Sequence, residues 1–358
     1  MSDKALHPGN VPAEFLALGR ELAQERARLE ALHNCSISAY LLFERWRDNP
    51  MASLLATEYP QQAAARIAIP DDLYEEVPED APCIVVLDAA VLPDDPGQSL
   101  SDCLAHEWLG RFLQQAWLQT QQRRSLQGLC GVLFAPVNGQ ILAQHLAQLG
   151  YQQAPDGQLR LLRYQDPRVM QRVWPALTDA QKNAWLGAAS SWWGLQVPWG
   201  PVAPAAPPVW FKANAPSSLQ RSEAADPLAD RALLDPRQWL IAHAAPAANA
   251  LWQLCAQQDD IPVSRHPSKQ QMDWLLAAAV DSGVQPSQLE NFLLTVWYPY
   301  LGPQPYIRPS EGNEEADAKF AARCASVAHA IEQNPQAGYR QLLTLVTAQT
   351  LPIDKRQP

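Results

Sequence analysis

The sequence predicts an N-terminal lobe of the α+β or α/β class with a small β-sheet, followed by an all-α C-terminal lobe. Short apolar runs typical of buried strands alternate with amphipathic segments through residue 165, which predicts the first lobe. From residue 233 onward apolar residues recur at helical spacing, which predicts the second. The predicted parts are an N-terminal helix at 1–35, a mixed domain at 36–196, a Pro/Ala-rich linker at 197–232 and a helical lobe at 233–358.

Hydrophobic spacing defines the elements of the first lobe. Charged and apolar residues alternate at 13–32 as in an amphipathic helix. A helix from Ser99 to about Gln121 presents a ridge of apolar residues spaced four apart, namely Leu100, Leu104, Trp108 and Phe112. Another helix begins after Asn138 and ends at Gly150, for which we expect the left-handed conformation. Strands are predicted at 36–46, 65–70, 83–89, 129–136, 159–165 and 190–200.

Capping residues set further helix ends. Asp166 is suited to cap a helix whose first residue is Pro167, because proline needs no N–H partner there. Thr178 and Gln181 form a capping box for a helix that ends at Gly187. The pairs Ser268/Gln271 and Ser287/Glu290 predict two more capping boxes in the second lobe, and Asn334-Pro335 interrupts its last helical segment.

Charge and hydropathy exclude several classes of protein. The net charge of −10 argues against a general nucleic-acid binder. No apolar window approaches eighteen residues and the N-terminus lacks a signal-peptide core, so we expect no membrane partner. The six cysteines are scattered without a C-x-x-C pair, which suits reduced thiols in the cytoplasm.

The sequence offers little that indicates catalysis. It has no G-x-G-x-x-G, P-loop or G-x-S-x-G motif. The segment His106-Glu107-Trp108-Leu109-Gly110 resembles a zinc-protease motif but has glycine in place of the second histidine. We therefore predict no catalytic residues, no metal, no cofactor and no enzymatic activity. The alternative is a hydrolase with Asp88 at the end of a strand.

Arginines surround the Asp166-Pro167-Arg168 motif and allow two interpretations. In the first, Arg160, Arg163 and Arg168 converge on an anion beside a helix N-terminus. In the second, Arg168 pairs with Asp166 or a neighbouring acid and fixes the turn. We favour the second interpretation and treat Arg163, Asp166, Pro167 and Arg168 as a structural motif.

Two surfaces are candidates for binding a protein partner. Residues 67–110 contain eleven acids and no Lys or Arg, which suits a basic partner or a solvated face. The candidates within it are Asp71, Asp72, Glu75 and Glu76. Trp199, Trp210 and Phe211 lie in proline-rich sequence, where they either attach the linker to the lobes or anchor a partner.

The order of motifs resembles the effector chaperones, or adaptors, of bacterial type VI secretion systems. The shared series contains two buried strands with helices after each, the Asp156-Gly157 turn and the Arg163–Val169 segment. It continues through the helix that holds Leu177 and Gln181 to a Trp-Trp strand, and spans roughly residues 36–196. The opening strand departs from the family pattern, with only Ala39–Glu44 in its place.

The resemblance implies a cytoplasmic, non-enzymatic chaperone. Such a protein binds one cognate effector and loads it onto the VgrG trimer or its PAAR tip. The alternatives are an immunity-type binding protein, or a hydrolase that uses Asp88.

Overall fold

The structure is a computed structural model, which describes residues 11–88, 90–93, 99–120, 127–196, 207–216, 233–256, 265–301 and 313–350. The described residues fall into two compact units, of which the first ends at Asp235 and the second begins at Pro236. The first unit is mixed and the second is helical, as the sequence predicts.

The first unit holds a six-stranded antiparallel sheet. Its strands are β1 (Ser38–Phe43), β2 (Ile67–Ala68), β3 (Cys83–Leu87), β4 (Leu129–Ala135), β7 (Ser191–Leu195) and β8 (Trp210–Asn214), and a separate hairpin pairs β5 (Tyr151–Gln153) with β6 (Leu159–Leu161). The strand order of the sheet is β2-β3-β1-β4-β7-β8. Every neighbouring pair runs antiparallel, so the fold is α+β.

The alternation of strands and helices also allowed the α/β class, and the position of β1 explains why that class is not observed. Both β3 and β4 are antiparallel to β1, so they run parallel to each other with β1 between them. The chain from β3 to β4 is therefore a crossover connection. However, β3 and β4 are not hydrogen-bonded to each other, because β1 lies between them. The predicted strand at 159–165 differs as well, since only Leu159–Leu161 is extended and it pairs outside the main sheet.

Helices cover the sheet. They are α1 (Ala13–His33), α2 (Pro50–Glu58), α3 (Pro60–Ala64), α4 (Leu100–Thr120), α5 (Gly139–Gly150), α6 (Pro167–Val173) and α7 (Asp179–Leu186). Alternate residues of β1, such as Leu41 and Phe43, face a core that also contains residues of α1 and α4. On the other face α5 begins close to Tyr40 and Ile84. The sheet thus lies between two groups of helices.

The predicted ridge of α4 is only half correct. Trp108 and Phe112 are buried, whereas Leu100 and Leu104 are 77% and 56% exposed. Residues spaced four apart drift around a helix by about 40° per step, because one turn takes 3.6 residues. Over three steps the row therefore leaves the face that packs on the sheet.

Most predicted caps of the first unit are present. Asn138 accepts a hydrogen bond from the Ile141 N–H, and Thr178 with Gln181 forms the predicted capping box. Gly150 does not adopt the expected left-handed conformation: it is the last helical residue, and extended Tyr151 follows directly as the start of β5. Here a strand, rather than a turn, ends the helix.

The described part of the second unit is built from helices. They are α8 (Pro236–Ala242), α9 (Ala244–Ala256), α10 (Lys269–Asp281), α11 (Leu289–Trp297), α12 (Glu314–Gln333) and α13 (Tyr339–Thr350). The apolar helix α11 contacts α9, α10, α12 and α13, and it contributes Phe292 and Trp297 to the core. The Arg323 guanidinium donates to the backbone carbonyls of Thr295 and Val296, and so satisfies two acceptors at the end of α11.

One predicted capping box of the second unit is wrong. Ser268 and Gln271 cap α10 as predicted. Ser287, in contrast, lies inside a 3₁₀ turn at Pro286–Gln288, and α11 begins after that turn without a side-chain cap. The turn that starts at Pro286 takes the residues that the capping box would have used.

Candidate functional site

The Asp166-Pro167-Arg168 motif forms a closed, buried turn at the start of α6. The Asp166 carboxylate accepts from the Arg168 backbone N–H at 2.9 Å and from Arg168 Nη2 at 2.6 Å. The two side chains are only 6% and 8% exposed. Burial disfavours the charged guanidinium, but its hydrogen bonds to Asp166 and the charge of Asp166 raise the pKa of Arg168. The pair is therefore a buried ion pair that joins the two ends of the turn.

A second ion pair lies beside the first. Glu44, the residue after β1, is buried, and its Oε1 lies 2.8 Å from Arg163 Nη2. Burial raises the pKa of Glu44, and the nearby Asp166 charge raises it further, while Arg163 and a hydrogen bond from Gln165 oppose the rise. These contacts connect the end of β1 to the segment that leads into α6. Sequence reasoning did not assign Glu44 to a site, although an acid that ends an otherwise apolar strand was a signal for one.

The three arginines near the motif do not converge on an anion site. Arg160 pairs with the exposed Asp156 in the β5–β6 hairpin. Arg163 pairs with Glu44, and Arg168 with Asp166. Because each guanidinium already has its own carboxylate, the arrangement agrees with the structural interpretation of the motif.

The four candidate acids lie together on the segment between β2 and β3. Asp71 accepts from the Leu73 N–H and from the Tyr151 hydroxyl at 3.1 Å. Burial and this hydrogen bond raise the pKa of Tyr151 to about 12. The other three candidates, Asp72, Glu75 and Glu76, are exposed. Leu73 and Val77 are also exposed, at 62% and 37%, so the acidic segment carries apolar side chains among its charges.

The aromatic candidates have different surroundings. Trp210 is buried in β8, packs against Trp193 and donates its indole N–H to the Leu18 carbonyl at 3.2 Å. Phe211 is half-buried in the same strand, and Trp199 lies outside the described residues. Trp210 therefore packs β8 against α1 within the first unit. This segment was predicted as part of a linker, so β8 is a strand that sequence reasoning missed.

Two histidines of the first unit, His106 of α4 and His145 of α5, pack against neighbouring elements. His106 packs in α4 against Gly19 of α1, and burial, assisted by the charge of Arg20, lowers its pKa. His145 Nε2 lies 3.0 Å from the Trp185 carbonyl oxygen, and its ring fills the space beside Gly187. Among the described residues no group of three or more His, Cys, Asp or Glu is arranged to hold a metal ion.

Asp88, the residue on which the hydrolase alternative depends, is exposed at the end of β3. Its carboxylate accepts from the Ala90 N–H at 3.0 Å and from Gln62 Nε2 at 2.9 Å. These contacts hold a turn, so the carboxylate fixes the backbone that follows the strand.

A groove of about 830 Å³ lies in the first unit, between the C-terminal half of α1 and the edge of the sheet at β7 and β8. Its lining from α1 includes Leu29 and the exposed Leu32, and its lining from the sheet includes Trp193 and Lys212. The Lys212 ammonium lies 4.0 Å from the centre of the Trp193 ring and 2.7 Å from Glu21. The groove is therefore partly apolar and large enough for several side chains of a bound chain.

The first unit also matches a known family over most of its length. Residues 39–184 match the model of a family described as a domain of unknown function, DUF4123. This family is associated with type VI secretion effector adaptors. The match starts in β1 and ends in α7, so α1, β7, β8 and the helical unit lie outside it. No curated protein and no solved structure matches the chain.

A helix that crosses a membrane needs about twenty consecutive, mostly apolar residues. Among the described residues, none of the helices combines that length with that apolar character.

Proposed function

We propose that this protein is a non-enzymatic adaptor, which binds a cognate type VI secretion effector in the cytoplasm of the producing cell and loads it onto the VgrG or PAAR spike. The observation that carries the proposal is the family match over residues 39–184. The match includes the motif that the sequence resemblance rests on, from Arg163 to Val169.

The chemistry of the motif supports the same function. Its charged side chains are paired as Glu44–Arg163 and Asp166–Arg168, and these pairs hold β1 and α6 in place. A general acid or base needs access to a substrate, and both side chains of the second pair are buried. The motif thus serves the scaffold, while exposed surfaces such as the acidic segment remain for protein contacts.

The proposal is tested by co-expression with the proteins encoded beside its own gene. We expect the neighbouring effector to be soluble and abundant only when this chain is present, and to be retained with it on affinity resin. Adding the neighbouring spike protein should give a complex of all three. An effector that is soluble alone and is not retained, with no spike protein retained either, contradicts the proposal.

The same experiment separates the proposed adaptor from an immunity protein. An adaptor raises the level of the effector and leaves its toxic activity intact in the purified complex. An immunity protein blocks that activity by covering the active site. Assaying the effector's activity with and without this chain therefore distinguishes the two functions.

A further inference from the structure

Among the described strands, β8 lies at one edge of the main sheet, with β7 as its neighbour. At one end of this pair the Ala215 N–H donates to the Ser190 carbonyl at 3.2 Å. At the other end the Gln196 N–H donates to the Val209 carbonyl at 2.9 Å. In an antiparallel pair the backbone groups of alternate residues point toward and away from the partner. Those of Trp210, Lys212 and Asn214 therefore point away from β7.

These outward groups have no backbone partner within the part of the chain that the structure describes. Lys212 and Asn214 are exposed residues, so no other described element of the chain covers this edge completely. The opposite edge of the sheet is β2, which contains only two residues. An accessible strand edge binds an extended chain, because alternate donors and acceptors match those of another strand.

The groove lies directly beside this edge and indicates which side chains would accompany such a strand. Lys212 and Asn214 belong both to β8 and to the groove lining. Lys212 pairs with Glu21 and Arg28 with Glu25, each at 2.7 Å, so a charged side chain that entered the groove would have to compete with these pairs. The apolar lining residues instead suit uncharged, apolar side chains; they include Leu29, Leu32, Trp193 and Pro216.

We propose that the edge of β8 binds an extended segment of the effector, which adds a seventh strand to the sheet and places apolar side chains at alternate positions into the groove. The proposal deepens the adaptor function and rests on it. Of the residues that line the groove, only Asn183 lies inside the family match at 39–184. The edge and groove are therefore built from parts of this chain that the shared domain does not include, as suits a surface that selects one particular effector.

A pair of substitutions at one position tests the role of the backbone. Lys212→Pro removes the outward N–H, and a proline is tolerated at a strand edge where that group does not bind a neighbouring strand. Lys212→Ala keeps the N–H and removes only the side chain with its Glu21 pair. The probe is the effector encoded beside this gene, with binding measured by titration calorimetry. We expect Lys212→Pro to weaken binding about tenfold or more and Lys212→Ala to change it less than about threefold.

Hydrogen exchange on the complex of the wild-type protein with the effector provides the second measurement. It does not depend on whether the Lys212→Pro variant folds. We expect the amides of Lys212 and Asn214 to exchange freely in the unbound protein and to become protected when the effector binds. Equal losses in both variants, or no loss in either, would overturn the proposal. The proposal would also be overturned if the amides of Lys212 and Asn214 were already protected in the unbound protein, by a second copy or by another segment of the chain. It would likewise be overturned if these amides stayed unprotected in the complex.

The two proposals fail in different ways. If the neighbouring effector does not bind at all, the adaptor function itself is wrong. If the effector binds and gains solubility but the β8 amides remain unprotected, the adaptor function stands and only its binding site is elsewhere.

Discussion

The guanidinium of Arg163 lies 2.8 Å from the carboxylate of Glu44, across 119 residues of sequence. The contact fixes the end of β1 to the segment before α6. It also places an acid in a buried position beside a second carboxylate, that of Asp166, whose charge acts on it. The two ion pairs therefore share one environment, and a change in one affects the other.

Glu44 should make the stability of the first unit depend on pH. Its pKa is raised in the folded protein, mainly by burial, so the folded state holds the proton more tightly than the unfolded chain does. The stabilising contribution is full below the unfolded pKa, about 4.3, and is lost as pH rises through the folded pKa. Urea unfolding across this window should show the wild type losing stability relative to Glu44→Gln. The exposed Glu290, changed to Gln, is the control, and an identical profile for Glu44→Gln and wild type would contradict the prediction.

The Asp166–Arg168 pair should be sensitive to the loss of either member. Arg168→Ala leaves a buried carboxylate without its counter-charge, which costs about 3–5 kcal/mol in the free energy of unfolding. Urea unfolding measures this cost. The matched control is Arg160→Ala, because Arg160 pairs with Asp156 on the surface and solvent screens that pair. If the free energy of unfolding fell by similar amounts in the two variants, the buried Asp166–Arg168 pair would stabilise the protein no more than the exposed Asp156–Arg160 pair does.

Gly187 should tolerate no side chain, for two separable reasons. Its φ of +55° is left-handed, and an added Cβ would lie within van der Waals overlap of the His145 ring. The conformation costs about 1–2 kcal/mol and the overlap about 1–3 kcal/mol more. Gly157→Ala is the control, since that glycine also has a positive φ of +80° but its nearest atom would be 3.8 Å away. We expect the melting temperature to fall more for Gly187→Ala, and adding His145→Ala should recover part of the difference.

The acidic segment between β2 and β3 should contribute to binding but not to folding. Neutralising Asp72, Glu75 and Glu76 together should change stability little, because all three are exposed. If the partner is basic, the association rate with the effector or the spike protein should fall, and its dependence on salt should weaken. Stopped-flow binding at several salt concentrations measures both. The control for net charge neutralises three exposed but scattered acids outside residues 67–110, namely Glu14, Glu58 and Glu290.

Sequence patterns predicted the features that depend on neighbouring residues. The capped turn at Asp166 and the box at Thr178 require contacts over two or three positions only, and both are present. The strand at Cys83–Leu87 was predicted because an apolar run that short, bounded by prolines, favours a buried strand over a helix. The predicted capping box at Ser287 is absent, because Pro286 begins a 3₁₀ turn that contains Ser287.

Features that depend on distant contacts were not predicted. The insertion of β1 between β3 and β4 makes the sheet antiparallel, and no local pattern specifies that order. β8 follows a proline-rich stretch and has only five residues, so it owes its strand structure to pairing with β7 rather than to its own sequence. The groove combines α1 with this strand, and for that reason it too could not be predicted before the fold was known.

The hydrogen bond from Trp210 to Leu18 joins residues that lie 192 positions apart. During synthesis α1 is made well before β8, so the core that α1 shares with Trp210 is incomplete until β8 has been made. The nascent chain therefore carries α1 with an incompletely covered apolar face while the residues between α1 and β8 are translated. Folding of the first unit should be slow to finish and responsive to general chaperones acting on the ribosome-bound chain, since so long a loop must close before the contacts that stabilise it can form.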